Sequence, residues 1–367
     1  MDYPRAAADE QLLVRVAHRY FIDGRSQLEI GKELGFSRPK VQRLLDRARE
    51  TGVVEIRITG ASVAAASLEP RLRVAFGVSE AIVTTGEPDP QAQRQGVAGA
   101  AADYLERHAP PGAVIAVGMG RNTGELAASY RPARPTGCTF VSAMGGSPSL
   151  AAPTNPNDIC RLLAERAGGR CESLYAPAFV EARAVRDRLL RQDAVAHTLR
   201  IAAEAAIAVV GVGGTDDGCT MVRSGCCPPE EMARLRAAGA VGDILGSYFD
   251  VNGRLIASGL EGRIVGLTLA QLCRIDTVIV VASESADKAY ALLGALRTAI
   301  PDVLIVDETN ARRVLELAAE EYSGPHDKPP GKPLAEPPAA PPAAPPAASP
   351  GPIEATRSQR TIETRGV

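Results

Sequence analysis

The chain has 367 residues, with 41 Lys and Arg against 43 Asp and Glu and a net charge of −2. That balance excludes a polybasic or strongly acidic binding protein, and the lack of Trp argues against a stacking-based single-strand binder. No apolar run approaches the roughly 20 residues of a membrane span, and the first residues show no basic-then-apolar leader pattern. A cytoplasmic protein with one small and one large folded domain is expected.

The first helical stripe runs from Gln11 to Phe21, where Leu12, Leu13, Val16, Ala17, Tyr20 and Phe21 share one face. A second short helix follows, with Leu28, Ile30 and Leu34 set among Glu29, Lys32 and Glu33. Gly31 suits a close approach of a second helix, Gly35 suits a tight turn at positive φ, and Val41 faces back into the same small core. Ser37 is placed to cap the next helix, which begins near Arg38 with Pro39 in its first turn. Its inward face is Val41, Leu44, Leu45 and Ala48, leaving Arg38, Lys40, Gln42, Arg43 and Arg47 outside. Arg and Lys match guanine edges or phosphates and Gln42 matches adenine, so this face suits a major groove. Arg25, Ser26 and Gln27 open the preceding helix, where backbone phosphates are expected.

After Gly52, the alternation from Val53 through Ile58 predicts a strand, one arm of a wing. The plainer alternative for the whole segment is a helical hairpin with a solvated basic face. Residues 1–57 hold eleven Lys and Arg against nine Asp and Glu, so one copy should bind DNA weakly. An oligomer reading repeated half-sites is therefore expected.

From about Ser67 to Glu321, β-rich runs alternate with helical ones. Strands are predicted at Ala81–Thr84, Ala113–Val117, Cys138–Ala143, Ala206–Gly211, Thr277–Val281 and Val303–Val306. Helices are predicted at Gln91–Arg107, Thr123–Tyr130, Asp158–Ala167, Asp193–Ala206, Ala286–Thr298 and Asn310–Glu320. This alternation predicts a doubly wound parallel sheet covered on both faces, with ligands bound beyond the carboxyl ends of its strands.

The residues after those strands are rich in glycine. Gly118, Met119, Gly120, Arg121, Asn122 and Thr123 make a turn into a helix, chemically suited to an anion such as phosphate. Gly145, Gly146 and Ser147, and then Gly213, Gly214 and Thr215, form two further loops for which a bare structural turn and a binding role both remain open. A dinucleotide fingerprint fails at both Gly-x-Gly starts, since Thr123 and Asp216 stand where its third glycine belongs.

Seven scattered cysteines and four dispersed histidines show no metal-ligand spacing, so neither metal nor cofactor is expected. Adjacent Cys226 and Cys227 leave redox sensing as a minor alternative. From Ser323 the chain carries twelve of its 28 prolines, predicting a disordered, partly polyproline II tail.

Taken together, these segments resemble the SorC family of bacterial transcriptional regulators, akin to DeoR-type and central glycolytic regulators. The resemblance rests on VGMGRNT at 117–123, AMGGS at 143–147, YAPAFV at 175–180, GAVGDILGSYFDVNGRLI at 239–256, DKAYALLGALR at 287–297 and LIVDETNARRVLEL at 304–317. It implies an α/β protein with a winged helix-turn-helix at residues 1–60. An effector-binding and oligomerisation domain related to sugar-phosphate isomerases is implied at 61–322, followed by the Pro/Ala-rich tail at 323–367.

By the same resemblance, Gly120, Arg121, Asn122, Thr123, Gly145, Gly146, Asp243 and Lys288 line a sugar or sugar-phosphate site. Lys288 would partner phosphate or a carbonyl oxygen, and Asp243 would accept from a hydroxyl. Asp250, further along the same segment, has the alternative of being only a turn residue. Two positions depart from the family pattern: Asn122, where threonine is frequent, and Ser283–Glu284–Ser285, where a glycine usually precedes the Lys288 helix. An added carboxylate at Glu284 disfavours phosphate and points to an unphosphorylated sugar or polyol as the alternative effector. The implied protein is a non-enzymatic regulator of carbohydrate genes, a homo-oligomer (a tetramer by resemblance) whose partners are operator DNA and the effector. Repression is the expected outcome, with activation left open, and a sugar-phosphate isomerase or deaminase carrying an accessory domain is the alternative.

Overall fold

The computed structural model describes residues 11–54, 63–147, 154–257, 259–283 and 288–321. Helix α1 covers residues 11–22, its last five, His18–Ile22, wound as a π-helix. It is followed by α2 (Gln27–Leu34) and α3 (Arg38–Glu50). Ser26 caps α2 in a reciprocal capping box with Glu29, and Gly35 ends it in the left-handed region at φ 70°. Ser37 occupies the cap position of α3 without making a side-chain capping bond.

Val16, Ile30, Val41 and Leu45 form the small core that joins the three helices. Leu28 does not enter it; its side chain is 56% exposed. The close approach at Gly31 is real but has a different origin from the one expected. An added Cβ would lie 2.5 Å from the Phe36 carbonyl oxygen, so it is the interhelical turn, not the second helix, that excludes a side chain. Val53 and Val54 are not strand, and the rest of the expected wing strand lies outside the described residues, as does the Pro/Ala-rich tail.

The larger part of the chain begins with α4 (Val63–Phe76), β1 (Glu80–Thr84), α5 (Pro90–His108), β2 (Val114–Val117), α6 (Arg121–Ser129) and β3 (Thr139–Ser142). It continues through α7 (Pro156–Ala167), β4 (Arg170–Glu172), α8 (Arg183–Leu190), α9 (Asp193–Ala203), β5 (Ile207–Gly211) and β6 (Gly213–Gly214). Short α10 (Thr220–Arg223) and α11 (Pro229–Ala237) precede a hairpin of β7 (Gly242–Ile244) and β8 (Ser247–Phe249). Then come α12 (Leu269–Leu272), β9 (Thr277–Ala282), α13 (Ala289–Arg297), β10 (Val303–Asp307) and α14 (Glu308–Glu321).

Seven strands form one parallel sheet in the order β1-β10-β9-β5-β2-β3-β4. Side-chain alternation explains why both of its faces are covered. Ile115 and Val117 of β2 point into one core with Val97 and Leu105 of α5, Leu126 of α6 and Leu163 of α7. Ala116 between them points into the other core, with Leu68 and Leu72 of α4, Leu199 of α9, Leu292 of α13 and Val314 of α14.

After β2 the chain builds outward through β3 to β4, then returns with β5 on the opposite side of β2. The carboxyl ends of β2 and β5 therefore flank the point where winding reverses, the position at which such sheets leave a crevice. A separate antiparallel ribbon, β6-β7-β8, extends from this end.

Candidate functional site

A cleft of about 570 Å³, counting its open mouth, occupies that crevice. Among the described residues its lining includes Met119 to Asn122 after β2, Met144 after β3, Gly211 to Gly214 after β5, Thr220 and Met221 of α10, Asp243, Leu245 and Gly246 of the ribbon, and Lys288 after β9. The chain thus brings Gly120, Arg121, Asn122, Asp243 and Lys288 together from segments up to 168 positions apart.

The cationic residues stand at helix starts. Gly120 sits at φ 136° and ψ 175°, a conformation that turns the chain from strand into α6 within one residue. The first-turn N–H groups of α6 have no intrahelical acceptor, and the helix dipole adds positive potential beside Arg121. Lys288 stands at the N-cap of α13.

The acidic residue is carried by the ribbon. Ile244 pairs with Ser247, so β7 and β8 are joined by a two-residue turn, Leu245–Gly246. Both turn residues have positive φ, 50° and 78°, as a tight hairpin matched to strand twist requires. A leucine in that region is strained, and its placement carries two consequences: Leu245 faces the cleft, and the Gly246 N–H donates to Asp243 Oδ2 at 2.8 Å. Oδ1 of Asp243 has no hydrogen-bond partner among the described residues. Burial pushes the Asp243 carboxyl up to about 6, against the opposing pull of the Gly246 N–H and the Lys288 charge. The Tyr248 hydroxyl, on the residue paired with Asp243 across the ribbon, is likewise buried and unpartnered among the described residues.

Asn122 does more than line the cleft. With its amide nitrogen turned to the Ser283 carbonyl it donates at 3.2 Å, while its oxygen accepts from the Ser283 N–H at 3.3 Å. One of the two departures from the expected motif therefore holds the first residue of the other, tying the start of α6 to the end of β9. Glu284, expected to repel a phosphate, lies outside the described residues.

Three sequence-predicted residues are placed otherwise than expected. Thr123 is fully buried and its hydroxyl donates to the Gly120 carbonyl at 3.1 Å, so it shapes the loop and does not line the cleft. Gly145 and Gly146 present no open amide cradle: their N–H groups donate to Val265 and Ala176 at 2.8 and 3.0 Å. A Cβ on Gly145 would lie 2.5 Å from the Ala176 and Pro177 carbonyl oxygens, so glycine is needed there for chain packing. Asp250 accepts from the Asn252 and Arg254 backbone N–H groups at 2.9 Å, which is the turn role. Cys226 and Cys227 are buried, and burial pushes the Cys227 thiol up to about 12, against the thiolate a redox sensor uses.

Leu245 and Gly246 were missed as site residues. The sequence signal was weak: Gly246 suits a tight turn, but a leucine at the first turn position is not one of the residues that mark a two-residue hairpin.

On the small domain, Arg25, Ser26, Ser37, Arg38, Lys40, Gln42, Arg43 and Arg47 are exposed and Gln27 is half-buried. Lys40 lies over the Phe36 ring, 4.0 Å from its centroid. The Ser26 hydroxyl donates to Glu29 Oε2 at 2.7 Å within its own capping box. Gln27 does not project freely toward a phosphate: its Nε2 donates to Gln42 Oε1 at 2.5 Å, and Gln42 Nε2 donates to Asp46 Oδ1 at 2.8 Å.

Residues 62–316 match the family model Sugar-bind, described as "Putative sugar-binding domain". The transcriptional regulator LsrR of Klebsiella pneumoniae is 32% identical over 323 residues, covering 86% of this chain and 95% of that protein. The erythritol catabolism regulatory protein EryD of Brucella abortus is 30% identical, covering 84% of this chain and 98% of its own length. Among solved structures, the full-length sorbitol operon regulator SorC of Klebsiella pneumoniae superposes with a TM-score of 0.74 at 25% identity, over 83% of this chain and 98% of that one. A domain of a transcriptional repressor from Vibrio fischeri, described as "Putative Sugar-Binding Domain", superposes with a TM-score of 0.65 at 34% identity, over 69% of this chain and 99% of that one.

Proposed function

The chain belongs to the sugar-binding-domain family of SorC- and DeoR-type transcriptional regulators, and on that premise we propose that it is a DNA-binding repressor of carbohydrate genes released by a sugar or sugar-phosphate effector. The single observation that carries the effector reading is the charge arrangement of the cleft at the sheet reversal. Arg121, Lys288 and the start of α6 line it together with the buried Asp243 carboxylate, which feels the Lys288 charge and has one oxygen unpartnered among the described residues.

Such a cleft suits a small molecule that carries both hydroxyl groups and an anionic or electron-rich group. Hydroxyls donate to Asp243 and an anionic group meets the cations. The basic outer face of α3 supplies the DNA contact, and the modest charge of one copy favours a homo-oligomer, a tetramer by family resemblance, reading repeated half-sites. The effector shifts the population toward the arrangement it binds better, and thereby changes operator affinity. The domain limits we assign are 1–60 for DNA binding and 61–322 for effector binding and assembly.

In this reading the chain binds without turnover and resides in the cytoplasm; no helix among the described residues is long and apolar enough to cross a membrane. A thermal-shift screen of sugars, polyols and their phosphates tests it, because a ligand that binds only the folded state raises Tm by mass action. A hit that also releases bound DNA in a gel-shift titration supports the proposal. Steady turnover of an aldose or ketose phosphate reverses it.

A further inference from the structure

The hydrogen bonds of Gln42 carry a consequence for which base the small domain reads. Gln42 is exposed in the first half of α3, between Gln27 of α2 and Asp46 one turn further along α3. A side-chain amide has two ends of similar shape, and alone it can present either end to a ligand. Here it cannot. A carboxylate offers only acceptors, so Asp46 fixes the Gln42 nitrogen on its side, with the bond at 2.8 Å. The Gln42 oxygen is then turned to Gln27, whose Nε2 donates to it at 2.5 Å.

Two bonds leave two positions over. The Gln42 nitrogen keeps its second N–H, and the oxygen keeps its second lone pair. A donor and an acceptor held side by side in fixed order are the complement of adenine in the major groove, with its N7 acceptor and N6 donor. We propose that Gln42 is the adenine-specifying residue of this protein, and that Gln27 and Asp46 are positioning residues that set the polarity of its amide. This rests on the DNA-binding reading above, and it moves Gln27 from a phosphate contact to a part of base readout.

Asp46 acquires two opposed effects. As an anion on the helix that faces phosphates it weakens binding to any duplex, while through Gln42 it sharpens the choice of base.

The test is selection of sites from a random duplex pool by the full chain, repeated with Gln42→Ala, Gln27→Ala and Asp46→Ala. The selected site is then rebuilt with 7-deazaadenine, which lacks the N7 acceptor, at each adenine. The wild type should lose about 10-fold in affinity at one adenine of each half-site. Gln42→Ala should no longer enrich that adenine and should show no loss on the deaza substitution. Asp46→Ala should bind random duplex more tightly than wild type yet discriminate the adenine less, and Gln27→Ala should discriminate less without the gain. A purely structural tie between α2 and α3 would lower Tm in these variants and leave the selected base unchanged, which overturns the inference alone. If the wild type enriches no sequence and binds no duplex, the DNA-binding reading falls together with it.

Discussion

Gly213 faces Asp243 across the β6–β7 register, and a Cβ added to Gly213 would lie 1.8 Å from the Asp243 Oδ1 atom. The carboxylate occupies the volume that any other residue at 213 would need. Gly213→Ala must therefore displace either the strand or the acid. Overpacking of this kind costs about 1–3 kcal/mol, so urea unfolding should show a lowered midpoint. The same variant should lose the Tm rise given by whatever effector the wild type binds.

The buried acid also sets a pH dependence. Its pKa is raised to about 6 from 3.8, so between those values the folded protein holds a proton that the unfolded chain has released. Stability is therefore greater at the acid end of this window, falls as pH rises from about 4 to about 6, and is flat above. At 1.36 kcal/mol per pKa unit the fall amounts to about 3 kcal/mol from this group. Urea unfolding of Asp243→Asn at pH 4, 5, 6 and 7, set against wild type, should remove that component of the slope. Identical slopes in the two proteins would show that Asp243 ionises freely.

Asn122 ties α6 to the end of β9 through both backbone polar groups of Ser283. Asn122→Ala leaves a buried donor and acceptor unanswered, at a cost of about 1–3 kcal/mol each before any relaxation. The expectation is a clear drop in Tm together with weakened effector binding, since the loop carrying Arg121 loses its anchor. Unchanged ligand affinity in a folded Asn122→Ala protein would separate the clamp from the cleft.

The two ends of the chain should separate by mutation. Arg43→Ala should weaken DNA binding and lower the salt dependence by about one phosphate contact, leaving the ligand-induced Tm rise intact. Arg121→Ala should do the reverse, retaining DNA binding while abolishing release by the effector. Fluorescence anisotropy at several salt concentrations measures the first, and effector titration of preformed complexes the second. An Arg43→Ala protein with wild-type affinity at every salt concentration rules α3 out as the recognition helix.

Much of this architecture could be read from residue patterns. All six strands expected from apolar runs occur, because strands buried on both faces leave continuous Val- and Ile-rich segments. Strand β4, Arg-Cys-Glu, was illegible because a three-residue edge strand needs no apolar run. Strand β6 is two glycines, which carry no side-chain signal. Helix α4 contains Pro70, a residue that reads as a helix breaker, although Leu68 and Leu72 on either side of it are buried in the core.

The site was legible unevenly, for a physical reason. Arg121 was legible from its glycine turn after an apolar strand run, whereas Asp243 and Lys288 entered only through resemblance of their segments to a known pattern. The glycines misled because a glycine that opens amides to a ligand and one that lets two chains touch look the same in sequence. Gly120 starts a helix beside the cleft, whereas Gly145 is pressed against Ala176 and Pro177. Gln27 misled for a related reason, since nothing local in the sequence shows that an amide is occupied by another 15 positions away.

The β6-β7-β8 ribbon is a sheet apart from the seven-stranded one, and it alone brings Asp243, Leu245 and Gly246 to the cleft. The cations that line the cleft come instead from the segments after β2 and β9 of the large sheet. Under the proposed effector reading, a designer seeking a biosensor for a different compound would start at Leu245, the turn residue that faces the cleft, and leave Ile244, Tyr248 and Phe249 of the same ribbon alone, because they are part of the core.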